Sequence, residues 1–160
     1  MDTDALIKIV KVSLKELIVS NVSIHIADGV REESVDEGKV KGCPDAILIE
    51  QNLQAGKIKV VKTRENKGNE IVTRDLRLRG GEADSLKLFR QGKFDSIVSD
   101  DQKFLDLMDG LGIPFLTSSA LLLYLYKKGI ISGEDARKNM EKLRPMISNE
   151  EYFATMDAIG

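Results

Sequence analysis

Three acidic positions in this chain stand where chemistry is done. Asp2 lies in Asp2-Thr3-Asp4-Ala5-Leu6-Ile7, Glu82 in Gly80-Gly81-Glu82-Ala83-Asp84, and Asp100-Asp101 directly follow Ser96-Ile97-Val98-Ser99. Each carboxylate falls at or just past a point where a strand should end or a helix begin. In an open parallel α/β sheet such points converge on the crevice outside the carboxyl ends of the strands. Carboxylates gathered there repel one another unless a cation neutralises them, so the pattern points to a divalent metal held by hard oxygen ligands. One or two such cations can activate water and steady a leaving oxygen. Taken singly, each acid has a plainer reading. Glu82 could complement a helix dipole, Asp100 and Asp101 could be an N-cap and a first-turn acid, and Asp2 could be a frayed end residue. Glu33, on the helix expected after the second strand, could reach the same crevice or simply face solvent. Asp84, two positions after Glu82, points to a different helix face.

A basic flank accompanies these acids. Arg74, Arg77 and Arg79 precede the Glu82 turn, with Lys62, Arg64 and Lys67 upstream. Cations beside an acidic metal site suit a phosphodiester substrate, since they hold the backbone while the metal does chemistry. A solvated loop with scattered charges is the alternative. Other chemistries lack their residues. His25 is the only histidine and alternates with Val22, Ile24 and Ile26, which places it on the outer face of a strand. That argues against histidine-based zinc hydrolysis and a serine–histidine triad. Cys43 is the only cysteine, which excludes an internal disulfide framework and a cysteine-rich zinc site. No glycine-rich phosphate loop is present. Phe89, Phe94 and Phe104 read as core, so no aromatic platform for stacking bases is evident.

The elements that must position the acids follow from periodicity. Residues 4–19 carry apolar positions at helical spacing, so a helix should follow Asp2 almost at once. Val22 to Ala27 reads as a strand. Asp28 is placed to cap a helix that ends near Gly38. Pro44 suits the first turn of the next helix, with Gly56 as its stop, and Ile58 to Val61 is a strand. Lys62 to Arg79, polar and rich in both signs, reads as a mobile loop or hairpin. A helix over 82–91, a strand over 96–99, a helix over 101–108 and a strand over 114–116 come next. Helices then follow over 118–128, 133–143 and 148–156. This order implies a three-layer α/β/α domain with a central parallel sheet and a helical C-terminal tail, with no repeats, linker or second domain. The core is expected over about 1–118 and the tail over about 119–160.

At 160 residues and 42% hydrophobic, the chain suits one domain with a sizeable core. Its net charge of −2 argues against a polybasic nucleic-acid clamp. The longest apolar stretch, 120–126, is too short for a membrane span, and no signal-like segment opens the chain. A cytoplasmic, soluble protein is expected. The helix over 120–126 is apolar nearly all round, so it is either deeply buried or packs on a second subunit.

These residues resemble the PIN-domain family of metal-dependent ribonucleases, which includes toxins of prokaryotic toxin–antitoxin pairs. Asp2-Thr3-Asp4-Ala5-Leu6-Ile7 is similar to the family's opening Asp motif, Gly81-Glu82-Ala83-Asp84 to its middle acidic helix start, and Ile97-Val98-Ser99-Asp100-Asp101 to the late strand ending in an acid. Leu116-Thr117-Ser118 resembles the small hydroxyl turn after the last strand. The likeness runs into the tail through Leu121-Leu122-Leu123, Lys127-Lys128-Gly129 and Glu141-Lys142-Leu143, as in an uncharacterised branch with extra C-terminal helices. By position the resemblance implies Asp2, Glu82 and Asp101 as catalytic metal ligands. Glu33 would be a fourth acid, Asp100 competes with Asp101, and Asp4 and Ser118 are supporting polar groups. Arg74, Arg77, Arg79 and Lys103 are candidate RNA contacts. The resemblance also implies a Mg²⁺ or Mn²⁺ centre that activates water for in-line attack on an RNA phosphodiester, a homodimer, and a cognate antitoxin on another chain. Two positions depart from the family. Only Met1 precedes the opening Asp, and Lys103 replaces a further acid. A PIN-like module that binds nucleic acid or protein without cleaving is the chief rival. A receiver-type phosphoryl-transfer protein is a weaker one, because no lysine ends the strand over 114–116.

Overall fold

Helix and strand alternate through the first three-quarters of the chain in the computed structural model, which describes residues 1–64 and 67–160. In order, α1 (Thr3–Lys11) and α2 (Lys15–Asn21) lead into β1 (Ile24–Ala27). A continuous helical stretch follows, made of α3 (Asp28–Arg31), a π-helical segment (Glu32–Glu37) and α4 (Gly38–Val40). Next come α5 (Pro44–Gln54), β2 (Ile58–Val61), α6 (Lys67–Asp75) and α7 (Gly80–Arg90). Then β3 (Ile97–Val98), α8 (Gln102–Gly110) and β4 (Phe115–Leu116) complete the mixed region. The tail holds α9 (Ser118–Lys127), α10 (Gly133–Leu143) and α11 (Asn149–Ile159).

The strands form two parallel pairs. β1 lies beside β2, with Ile24 opposite Ile58 and Ala27 opposite Val61. β3 lies beside β4, with Ile97 opposite Phe115 and Val98 opposite Leu116. The first two residues join the pairs: the Met1 α-amino group donates to the His25 carbonyl at 3.1 Å, and the Asp2 N–H donates to the Val98 carbonyl at 2.9 Å. Asp2 is thus seated between the two pairs at the C-terminal end of β3. It is only 3% exposed, which removes the frayed-end reading.

A main core gathers Leu6, Ile9, Ile26, Val30, Leu122 and Leu125 from α1, β1, α3 and α9. A smaller one gathers Leu86, Ile97, Phe104 and Met108, with Val72, Leu76 and Leu78 packed on it. The apolar α9 is covered within the chain: Leu121, Leu122 and Leu125 are buried, and α9 packs on α1, α10 and α11. Phe104 is buried as expected, whereas Phe89 and Phe94 are half-buried, Phe94 lying edge-on to the half-buried ring of His25.

Three local expectations are corrected. The single helix over 4–19 is two helices. Ser13 adopts φ 61°, its N–H donates to Val10 and that of Leu14 to Ile9, a left-handed helix stop of the kind glycine usually makes. Asp28 does not cap its helix but begins it, with Ala27 in the cap position, and its carboxylate instead accepts from the Thr63 N–H and hydroxyl. That helix ends near Gly38 as expected, its last residue being Val40. A Cβ on Gly38 would sit 2.9 Å from the Cβ of Ala46, so this glycine serves the close approach of α4 to α5. Finally, the polar stretch over 62–79 contains α6, apart from residues 65 and 66, which lie outside the described residues. Its buried side is polar, through Asn69 and Thr73, so hydrophobic periodicity gives little sign of it. Arg77, at φ 56°, forms its stop.

Candidate metal centre

The acids approach one another because strand ends and helix starts meet around Asp2. The Asp2 carboxylate caps α1, accepting from the Ala5 N–H at 3.0 Å. Burial pushes its pKa above the ordinary carboxylate range, opposed by hydrogen bonds from the Ser99 hydroxyl and the Ala5 N–H. Ser99 also accepts from the Asp101 N–H at 3.2 Å, so one fully buried hydroxyl ties Asp2 to Asp101. Asp101 caps α8 through the Phe104 N–H at 2.9 Å.

Glu82 stands in the first turn of α7. Burial raises its pKa, and the charges of Asp101, Asp2 and Glu33 raise it further. The last three reach it from three other segments of the chain. Glu33, in the π-helical segment, bridges two of these segments: it accepts from the Thr3 hydroxyl at 2.6 Å and from the Gly81 N–H at 3.0 Å. The Gly80-Gly81 pair makes that approach possible. Gly80 has φ +51°, and a Cβ on Gly81 would lie 2.8 Å from the Thr3 hydroxyl and 2.9 Å from Glu33 Oε2.

Asp100 has partners of its own, although its charge still acts on Asp2. It accepts from the Ser118 N–H at 2.8 Å and hydroxyl at 2.7 Å, and Lys8 lies 3.3 Å away with the Asp100 side chain 3% exposed. Lys8 also pairs with the exposed Asp4 at 3.1 Å. Burial opposes the Lys8 charge, but Asp100 and Asp4 outweigh it and hold its pKa above the usual lysine value. Asp84 pairs with Lys87 at 3.0 Å. Among the basic candidates, Arg79 is the exposed N-cap residue of α7 and Lys103 is exposed in the first turn of α8. Arg74 pairs with its neighbour Asp75, and Arg77 is exposed at the end of α6. Sequence reasoning missed Thr3, Lys8 and Ser99. Small hydroxyls and a lysine beside acidic motifs were the available signal, but their partners are distant in the chain.

In donor type and charge, Asp2, Glu82, Asp101 and Glu33 suit a divalent cation, which would relieve the mutual repulsion felt at Glu82. As they stand, however, no three Asp, Glu, His or Cys side chains among the described residues are grouped so as to hold a metal ion.

A family match places this α/β domain in the class of nuclease-like folds. The chain is a member of the PIN domain family, whose model matches residues 1–153. PIN domains are generally ribonucleases and generally use divalent metal ions. No curated protein and no solved structure matches the chain. Among the described residues, no helix is long and apolar enough to cross a membrane.

Proposed function

We propose that this chain, as one PIN-like domain over 1–160, is a Mg²⁺- or Mn²⁺-dependent endoribonuclease, the toxin of a toxin–antitoxin pair. The observation that carries the reading is the field at Glu82, where Asp2, Glu33 and Asp101 act from three other segments on one half-buried carboxyl. Asp2, Glu82 and Asp101 would hold the cation, with Glu33 as the fourth acid. The cation would supply Lewis-acid activation of water and neutralisation of charge on the phosphodiester. The protein supplies the rest. The α1 and α8 caps fix Asp2 and Asp101, and Ser99 locks their spacing. Glu33 draws the start of α7 toward α1. Arg79 and Lys103, each within three residues of a candidate ligand, would hold the flanking RNA phosphates, with Arg74 and Arg77 further out. Asp100 and Ser118, saturated by each other and by Lys8, support the late acidic turn, and Asp4 steadies Lys8. A cognate antitoxin on a separate chain and a homodimer belong to the same proposal.

A second reading rests on one observation. Glu33 is already bound by Thr3 and Gly81, and such a site could serve a PIN-like module that binds RNA or protein without cleaving it. Calorimetric titration with Mn²⁺ separates the two. Saturable binding by the wild type that Glu82→Gln or Asp101→Asn abolishes is the expected result. A folded wild type that takes up no Mn²⁺ supports the non-catalytic module.

A further inference from the structure

An open groove lies apart from the acidic crevice. It measures about 1170 Å³ and lies at the C-terminal end of β2, between the strand's outgoing loop, α6 and α7. Lys62 and Arg64 line it from that loop, and Lys87 lines it from α7. Lys62 and Arg64 are exposed and make no ion pair among the described residues. Two acids also line it. Asp28 is engaged by Thr63 through both hydrogen bonds described above, a contact that fixes the loop carrying the two cations. Burial works against the Asp28 charge, but the Thr63 bonds outweigh it and hold its pKa below the usual range. Glu70 is exposed on α6.

Gln91, at the end of α7, lines both this groove and an adjoining recess formed with Arg64, Asn69 and Arg90. Its Nε2 is shielded from solvent and has no hydrogen-bond partner. Arg90, by contrast, is held by Asn69 Oδ1 at 2.9 Å, which keeps the recess in shape. The groove and the acidic site both open at the C-terminal ends of parallel strands: Asp28, directly after β1, lines the groove, and Asp2 and Asp101 lie just past the end of β3.

We propose that this groove seats the single-stranded RNA segment next to the scissile phosphate, with Lys62 and Arg64 on its phosphates. The proposal deepens the ribonuclease reading and rests on it. It moves the main RNA path away from Arg74 and Arg77 onto the β2–α6 side of α7. A single strand suits the groove because its backbone and unpaired edges are both accessible to side chains.

The test is the binding of a fluorescein-labelled single-stranded RNA dodecamer, followed by anisotropy over a salt series with EDTA present to prevent cleavage. Each lost phosphate contact reduces the slope of log K against log salt by about 0.7 on a single strand. The Lys62→Gln/Arg64→Gln double variant should therefore bind with a slope shallower by about 1.4, and on the order of tenfold more weakly. Wild-type affinity and slope in the double variant would overturn the proposal. Mn²⁺ titration of the same proteins, freed of EDTA, keeps the two readings apart. RNA binding lost in a wild type that takes up Mn²⁺ overturns the groove alone, and RNA binding kept in a wild type that takes up none overturns the metal centre alone.

Discussion

At the scale of residues, Asp100 and Asp101 are adjacent in sequence and chemically opposite in structure. Asp101 faces Glu82 and caps a helix, while Asp100 is buried against Lys8 and Ser118. Paired substitutions should separate their roles. Asp101→Asn preserves the cap, because asparagine serves that position about as well as aspartate. It should therefore leave unfolding free energy within about 0.5 kcal/mol of wild type while abolishing Mn²⁺ binding. Asp100→Asn should do the reverse. It leaves the Lys8 ammonium with only the exposed Asp4 as charge partner, so stability should fall by about 1–3 kcal/mol with Mn²⁺ binding retained. Urea denaturation and calorimetry on the same two proteins give both answers. Retained Mn²⁺ binding in Asp101→Asn would assign the late ligand to Asp100.

At the scale of elements, the site depends on helices that approach closely. Glycines mark three such places, Gly29 against Asp84, Gly80-Gly81 against Glu33 and Gly38 against Ala46. Gly38 is a clean probe because its backbone is helical, with φ −58°, so alanine meets no conformational penalty there. Its methyl would instead meet the Cβ of Ala46 at 2.9 Å. Gly38→Ala should lower stability by about 1–3 kcal/mol despite the better helix propensity of alanine. Urea denaturation reads this directly, and a stabilised variant would show that α4 and α5 separate easily. The element boundaries that periodicity missed share one cause. At Ser13 and Arg77 a non-glycine residue takes the left-handed stop, so the usual glycine marker is absent.

At the scale of the whole molecule, the acidic centre works against folding when no cation is bound. Asp2 and Glu82 have folded pKa values raised above those of an unfolded chain. The folded state then binds more protons between the two values, and stability falls as pH rises through that window. Asp28 acts in the opposite sense, its lowered pKa giving stability that is lost on acidification. Comparison of wild type with Glu82→Gln isolates the acidic centre. Without metal, the variant should be more stable than wild type by about 1 kcal/mol near pH 7, with the advantage shrinking toward about pH 4. Mn²⁺ at about a hundred times its Kd should add about 2.7 kcal/mol to the wild type, or about 5–10 °C in Tm, and nothing to the variant. Thermal scans at several pH values test all three statements, and an equal Mn²⁺ shift in both proteins would remove Glu82 from the site.

Local chemistry carried much of this protein in its linear order. The spacing of apolar residues, Pro44 at a helix start and the glycines at 56 and 92 mark most elements because those signals act over a few residues. Acidic residues at element boundaries were visible for the same reason. Periodicity gave little sign of α6, whose buried side is polar, and the sequence contains no local marker for the π-helical segment that carries Glu33. The sorting of the acids was decided only by tertiary structure. Lys8 reaches Asp100, Thr3 reaches Glu33, and Ser99 joins Asp2 to Asp101 across separations that no local pattern records. Whether a carboxylate is neutralised, capped or left in a like-charged field depends on what folding brings within a few ångströms of it.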